Sequence, residues 1–352
     1  MAEVITAPAA VKAATTMYRP SWVDRLVDWI DARPGPAWVP YAIAFFGVAA
    51  AANAAAWADG YVALGTFDPY VNSLAFYFIG GFAAIHYLDA AAQRAWARFR
   101  PALLLSDEEA GQVAYELTTM PARPTLVWSF VGIVGAALYG ATQYGAPLDF
   151  AEEPLTLTFV TAVALPSFAG AAALIYHSIR QLRLIGHLRR YLDTVDLLHL
   201  EPLHAFAGVT AATGMFLLAL SYLSALTDPA TFSNPALFAF TIGSVGLAVA
   251  SFVVPLYGIH TQIAAEKSRR LAAVNGRLDG ALRDLDRRAD EHDLSEADAV
   301  NKHLSSLLAE RDVLTRTPTW PWAPETLRGF GTALVLPVVL WLAFRLLERV
   351  LE

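Results

Sequence analysis

Residues 236–260 read ALFAFTIGSVGLAVASFVVPLYGIH, a stretch without a single Asp, Glu, Lys or Arg. A helix rises about 1.5 Å per residue, so this stretch is long enough to cross the ~30 Å hydrocarbon core of a membrane. Six similar stretches occur, and the seven predicted spans are 37–58, 70–88, 125–146, 156–177, 206–226, 236–260 and 328–347. The whole chain is 56% hydrophobic with a mean hydropathy of +0.43, which is typical of a membrane protein. The sequence therefore predicts an all-α polytopic membrane bundle of seven transmembrane helices.

The positive charges indicate an orientation, because Lys and Arg in short loops resist crossing a membrane. The loops 59–69, 147–154 and 228–235 contain no Lys or Arg, whereas residues 1–36, 89–124, 178–203 and 263–325 contain 4, 4, 4 and 10. This asymmetry predicts a cytoplasmic N-terminus and an external C-terminus, unless the Ala-rich first span does not cross. Arg far outnumbers Lys and Ala is abundant, as in GC-rich prokaryotic genomes, so the expected location is a prokaryotic inner (plasma) membrane.

The remaining segments divide the chain further. We expect a disordered tail at 1–20, an interfacial amphipathic helix at 21–35, six spans with cytoplasmic extensions at 36–262, a cytoplasmic helical hairpin with a Trp/Pro linker at 263–325, and the last span at 326–352. The amphipathic helix has an apolar face of Trp22, Val23, Leu26, Val27 and Ile30, opposite a polar face of Asp24, Arg25, Asp28 and Asp31.

The hairpin is predicted from helical periodicity after the sixth span. Apolar residues continue at spacings of three and four to about Arg288, and a return helix carries Val300, Leu304, Leu307 and Leu314. Residues 293–296 form a box-like cap for that return helix, and residues 106–109, SDEE, form one for a short inner helix that ends before Pro121. The linker at 317–324, TPTWPWAP, would bring Trp320 and Trp322 to the inner membrane interface.

Polar residues near the membrane offer one candidate site. His86 and Asp89 are three residues apart at the inner end of the second span, so they share one helical face. They could form a proton relay or half of a metal site, or else an interface pair or a hydrogen-bonded core feature. With Gln143 of the third span, they are the residues that a transported small molecule would meet.

Other chemistries find little support. The best candidate for a metal site is the group of His199, His204, Glu201, Asp193 and Asp196, but no dense His-x-x-His cluster of a membrane di-iron enzyme occurs, and neither a metal nor another cofactor is predicted. The three lysines, Lys12, Lys267 and Lys302, lie outside the spans, which excludes a retinal Schiff base. Hydrolase motifs and cysteines are absent, so an enzyme is not expected. There is no basic stripe for nucleic acid, which leaves membrane lipid and an unidentified small molecule as predicted partners.

The predicted topology resembles the seven-transmembrane ion channel superfamily that includes the insect odorant and gustatory receptors. The chain is similar in its long inner extensions after the fourth and sixth spans, its inner helix before the seventh, and its end a few residues past the last crossing. It departs from the gustatory receptors, whose last helix starts with Thr-Tyr and ends with Gln-Phe. Here Glu325-Thr-Leu-Arg328 opens that helix and no Gln-Phe follows.

The resemblance implies a homotetramer in which the seventh span lines a central pore. The slimmer face of that span would line the pore, or else pack on neighbouring helices: Gly329, Thr332, Leu336, Leu340 and Ala343. Phe330, Pro337, Trp341 and Phe344 form the bulkier face. The leading hypothesis is therefore a homo-oligomeric ion channel. The alternatives are a small-molecule transporter and a membrane scaffold or sensor that binds a partner through the hairpin at 256–316.

Overall fold

The computed structural model describes residues 17–143, 152–192, 196–197, 200–227, 235–291, 297–335 and 339. Within these ranges the chain forms helices, short turns and two isolated bridges, and it contains no strand. The prediction of an all-α fold is confirmed for the described residues.

Ten α-helices follow one another along the described residues. They are α1 (Trp22–Asp31), α2 (Trp38–Asp59), α3 (Pro69–Phe99), α4 (Asp107–Thr118), α5 (Ala122–Gln143), α6 (Pro154–Leu188), α7 (Ala207–Thr227), α8 (Pro235–Asp290), α9 (Ala297–Arg316) and α10 (324–335). The predicted cap at 106–109 is present, because the Ser106 side chain accepts from the Glu109 backbone N–H and the Glu109 carboxylate accepts in return. The predicted cap at 293–296 lies outside the described residues.

Five helical segments are long and apolar enough, by length and composition, to cross a membrane: Trp38–Asp59, Pro69–Ala102, Pro154–Tyr191, Pro202–Leu223 and Thr241–Asp290. Large apolar side chains on these segments face outward, including Phe46 at 69% exposure and Val254 at 67%. A soluble protein would bury such faces, so lipid is their natural environment. The membrane character of the chain is therefore supported at five of the seven predicted spans.

The third and seventh spans stay predictions. The third lies in α5, where the apolar stretch is described over Ala122–Leu138. The seventh begins in α10 and continues into residues outside the described ranges. The helix of α5 is described to Gln143 but its side chains only to Leu138, and the seventh span is described only at its start, so for neither is the described apolar stretch long enough to decide a membrane crossing.

Close helix contacts hold the bundle together. α3 contacts α2, α6 and α7, while α6 also contacts α5 and α8. Gly132 lies where the backbones of α5 and α6 approach closely, because a Cβ at this position would lie 2.2 Å from the Phe168 carbonyl oxygen. Only a glycine permits that backbone separation.

The N-terminal segment is fixed on the bundle by backbone pairing. The Ser21 N–H donates to the Met120 carbonyl at 3.0 Å, and the Ala122 N–H donates to the Arg19 carbonyl at 3.1 Å. The apolar face of α1 then packs on α3, where Val23 is fully buried. For Asp24 the expectation of a polar, outward position is wrong, since it is only 7% exposed.

The hairpin predicted after the sixth span is present as α8 and α9. α8 continues without interruption over 56 residues, and α9 packs along its far part. Val274 of α8 and Leu314 of α9 are buried in one hydrophobic cluster, and Leu307, which like Leu314 belongs to the return stripe named above, is also buried. The Lys267 ammonium donates to the Thr315 and Thr317 carbonyls, both at 2.8 Å, and so caps the end of α9. We call the end of the bundle that carries α4 and this hairpin the hairpin end.

Candidate functional site

A cavity of about 310 Å³ opens between α1, α3 and α4 at the hairpin end. Its lining residues are Pro20, Asp24, Val27, Asp28, Asp31, His86, Asp89, Ala90, Gln93, Tyr115, Thr118 and Thr119. Four of these are aspartates, and among the described residues that line it there is no Lys or Arg. The cavity is therefore acidic, and we refer to it below as the acidic cavity.

Asp24 holds the wall of the acidic cavity in place. Its Oδ2 accepts hydrogen bonds from the Ser21 N–H at 2.7 Å and the Met120 N–H at 3.0 Å. The first bond belongs to the capping box that starts α1, and the second attaches α1 to the residues after α4. Its other oxygen, Oδ1, is buried and has no hydrogen-bond partner among the described residues. A buried carboxylate oxygen without a donor is costly, so this atom needs an explanation.

His86 connects three helices at the opposite wall. Its Nε2 lies 3.1 Å from the Asp31 carboxylate of α1, and its Nδ1 lies 3.2 Å from the Tyr41 hydroxyl of α2. When Nε2–H donates to the carboxylate, Nδ1 of a neutral ring accepts from the hydroxyl, so both ring nitrogens are satisfied. Asp31 is half exposed, and its side chain remains accessible from the cavity.

Asp89 leads from the acidic cavity into the interior of the bundle. Its carboxylate lies 2.9 Å from Nε2 of His177, a fully buried residue of α6. One turn further along α6, the Gln181 amide donates to the Leu117 carbonyl at 2.9 Å. Nδ1 of His177 and Oε1 of Gln181 are buried and have no hydrogen-bond partner in the described chain. The result is a short polar path of Asp89, His177 and Gln181 that starts at the cavity.

A clamp beside the cavity fixes the chain before α1. The Arg180 guanidinium donates to the Thr119 carbonyl at 2.8 Å and also to the Tyr18 hydroxyl. That hydroxyl donates to the Thr119 carbonyl at 2.7 Å, and the Tyr115 hydroxyl donates to the Tyr18 carbonyl at 2.6 Å. Burial raises the pKa of Tyr18 well above its usual value although Arg180 opposes the shift, so the phenol stays protonated.

The predicted pair of His86 and Asp89 is on one face, and both residues line the acidic cavity. Each of them has its own partner on another helix, Asp31 for His86 and His177 for Asp89. The third predicted polar residue, Gln143, ends α5, and its side chain lies outside the described part of the structure. Sequence reasoning missed His177, although its position at the inner end of the fourth span, one turn before Gln181, was a usable signal.

The predicted pore residues are described only in part. Gly329 and Thr332 are exposed on the surface of the chain, while Leu336, Leu340 and Ala343 lie outside the described residues. On the bulkier face, Phe330 is buried and stacks on Phe252 with ring centroids 4.3 Å apart. At the start of the last helix Phe330 therefore faces the bundle, whereas Pro337, Trp341 and Phe344 lie outside the described residues.

The two tryptophans of the linker continue this stack. Trp322 stacks on Phe252 at 4.8 Å, Trp320 stacks on Trp322 at 4.3 Å, and His260 stacks on Trp320 at 3.9 Å. His260 also lies 3.1 Å from the Thr319 carbonyl through Nδ1. An unbroken column of rings therefore joins the base of the hairpin to α10, a feature that the sequence did not reveal.

The metal prediction concerns residues that are only partly described. Asp193 and His199 lie outside the described ranges. Over the residues that are described, no group of three or more His, Asp or Glu side chains is placed to hold a metal ion.

Exposed apolar side chains occur on the hairpin at Leu282, Leu308 and Val313, which is what a partner-binding scaffold would require.

No protein-family model matches the chain, and neither a curated protein nor a solved structure matches it. The resemblance to the insect receptor superfamily therefore rests on topology. Function has to be argued from the acidic cavity and from the last helix.

Proposed function

We propose that the chain is a membrane transport protein whose solute enters through the acidic cavity. The observation that carries this proposal is that His86 and Asp89 line one cavity with three further carboxylates. Ionisable groups within membrane helices are costly, and they commonly mark solute or proton paths. The contact between Asp89 and the buried His177 extends this polar surface from the cavity into the bundle.

The proposal is tested by currents from proteoliposomes on a solid-supported membrane. Concentration jumps of protons, inorganic cations, organic cations, neutral solutes and anions are applied in turn. Transport gives a current whose decay changes with the lipid-to-protein ratio, whereas binding alone gives a transient that does not. We expect a transport current for at least one solute, and a strong reduction in Asp89→Asn and His86→Gln.

His303→Gln is the matched control, because His303 is an exposed histidine on α9, away from the acidic cavity. It should leave the current unchanged. Binding transients alone for every solute would refute a transport function, and so would full currents in both cavity variants.

The proposed orientation has a cytoplasmic N-terminus in a prokaryotic plasma membrane. It is supported by the distribution of Lys and Arg, and the absence of cysteine from the chain makes it easy to test. We expect a membrane-impermeant maleimide to label Ala63→Cys in intact cells, since Ala63 lies in the exposed connection between α2 and α3. Ala309→Cys, on exposed α9, should react only after the cells are opened. The reverse pattern would invert the topology.

A homo-oligomeric ion channel is the second candidate, favoured by the orientation of α10. Phe330 points into the bundle, while Gly329 and Thr332 are left uncovered and available to a pore or to a neighbouring subunit. Single-particle imaging of the protein in nanodiscs tests this candidate. If the protein is a channel, the particles should form a fourfold ring with the last helix near the axis. A monomer would exclude the channel and leave the transporter proposal intact.

A further inference from the structure

Four exposed arginines lie near the ends of α3 and α6, at the hairpin end of the bundle. Arg94 and Arg98 are one turn apart on α3, while Arg183 lies on α6 and Arg190 in the turn that follows it. None of the four forms an ion pair within 4.0 Å among the described residues. Arg94 donates through Nε to the Ala90 carbonyl of its own helix at 3.1 Å. We call these four residues the arginine group, and their charges remain available to another molecule.

The two helices bring the arginine group to a similar depth. The Leu104 N–H donates to the Tyr191 carbonyl at 3.0 Å, so the segments that follow α3 and α6 meet at one level. Arg94 and Arg183 each lie six residues past the predicted end of their span, at 88 and 177. At about 1.5 Å per residue, both are about 9 Å beyond the apolar part of the helix. Arginine side chains at this depth reach the lipid headgroups along their apolar stems.

Basic side chains on the hairpin mostly have carboxylate partners instead. Arg277 of α8 is paired with Glu310 of α9 at 2.9 Å, and Arg283 with Asp279 at 2.8 Å. Arg311 of α9 is exposed and forms no ion pair with the described residues, which makes it an exception on the hairpin. Unpaired arginines are therefore more frequent at the membrane end of these helices than on the part that projects from it.

Other helices start at this end of the bundle with the same feature. Arg33, Arg123 and Arg328 lie just before α2 or in the first turns of α5 and α10, and each is exposed without an ion pair in the described chain. A guanidinium group binds a phosphate through two parallel hydrogen bonds, whereas a lysine ammonium acts as a point charge. The charge and the chemistry at this end are thus complementary to a layer of phosphate headgroups.

We infer that the arginine group binds the phosphates of anionic phospholipids in the leaflet on the hairpin side. Each arginine near an anionic membrane surface strengthens binding by about fivefold. A zwitterionic headgroup has an ammonium group that offsets its phosphate charge, so it binds more weakly. This inference goes beyond the transport proposal and does not depend on it, because lipid binding is measured without any solute.

The test is a lipid titration of the full chain in detergent, followed by native mass spectrometry, which resolves the protein with and without each bound lipid. The probes are phosphatidylglycerol and phosphatidylcholine with identical acyl chains. We expect phosphatidylglycerol to bind about tenfold more tightly or better, and to lose this advantage at high salt. Equal affinities for the two lipids would overturn the inference. Displacement of phosphatidylglycerol by an equal concentration of inorganic phosphate would also overturn it, because the surface would then recognise a free ion.

Variants locate the binding surface. Arg94→Gln/Arg98→Gln and Arg183→Gln/Arg190→Gln each remove two charges, and each should weaken binding of phosphatidylglycerol about tenfold or more without changing that of phosphatidylcholine. Unchanged binding of phosphatidylglycerol in both variants would contradict the inference. The comparison of the two lipids on the unchanged protein needs no variant, so it decides the question even where a variant does not fold.

Arg283→Gln/Arg311→Gln is the matched control, because it removes two exposed positive charges from the hairpin. It should leave the affinity for phosphatidylglycerol unchanged. A loss as large as that of the two test variants would mean that the lipid responds to the net charge of the chain, and the arginine group would not be its binding surface.

Discussion

Gly132→Ala probes a close contact between the backbones of α5 and α6. The new Cβ would lie 2.2 Å from the Phe168 carbonyl oxygen and 2.9 Å from the Ala172 Cβ. The carbonyl belongs to the helix backbone, so it cannot rotate away like a flexible side chain. The two helices would have to separate by about an ångström before ordinary van der Waals contact is restored.

The expected magnitude follows from two opposing effects. Overpacking of this kind costs about 1–3 kcal/mol, while replacing Gly by Ala within a helix gains up to about 1 kcal/mol. Gly135→Ala isolates the second effect, because it lies in the same helix and its Cβ would meet nothing within 4 Å. The helix-propensity gain cancels in the comparison, so Gly132→Ala should be less stable than Gly135→Ala by about 1–3 kcal/mol.

The free energy of unfolding of the two variants is measured by SDS titration in mixed micelles, followed by tryptophan fluorescence. We expect Gly135→Ala to match or exceed the unchanged protein and Gly132→Ala to fall below it. If both variants shift equally, α5 and α6 do not approach each other as described, and the reasoning about their contact is wrong.

Three further predictions concern the packing of α10, the attachment of α1 and the cap of α4. Gly214→Ala should destabilise the fold by about 1–3 kcal/mol, because its Cβ would lie 2.6 Å from the Phe330 ring and 2.8 Å from the Ala248 carbonyl oxygen. Adding Phe330→Leu should recover part of that loss, which a double-mutant cycle of unfolding free energies would measure. Asp24→Ala should cost about 2 kcal/mol in the same titration, because the buried Met120 N–H loses its acceptor; an unchanged unfolding free energy would contradict that role. Hydrogen bonds from the Ser106 N–H and hydroxyl lower the pKa of Glu109, so its contribution to stability is present above pH 4.5 and lost as the pH falls through the lowered value. The difference in melting temperature between the protein and Glu109→Ala should therefore shrink in acid, and a difference that is constant with pH would refute this.

The positions of the helices could be predicted because they depend on local properties of the sequence. The length of the apolar stretches indicated the five spans that the structure supports, and the periodicity after the sixth span gave the end of α8 to within a few residues. The box at Ser106 and Glu109 is equally local, since both of its hydrogen bonds form within one helical turn. These features need no knowledge of how the helices pack.

The candidate site could be predicted only in part because it depends on packing between helices. A spacing of three residues shows that His86 and Asp89 share a face, but their partners come from α1 and α6. The helical pattern assigned Asp24 to the polar face of α1. The backbone donors that bury it, above all the Met120 N–H, lie almost a hundred residues away in the sequence. Pairing over such distances leaves no periodic signal in a single sequence.

The continuity of α8 gives the hairpin end a mechanical property. A helix of 56 residues is about 84 Å long, and the part that follows Pro255 runs without a further proline from the bundle into the hairpin, so this part acts as a stiff rod. If the rod pivots by about 5° at the membrane surface, a point 30 residues further along moves sideways by about 4 Å. A small rearrangement among the spans would therefore be amplified at the tip of the hairpin, where a displacement of that size is enough to make or break a contact with another molecule.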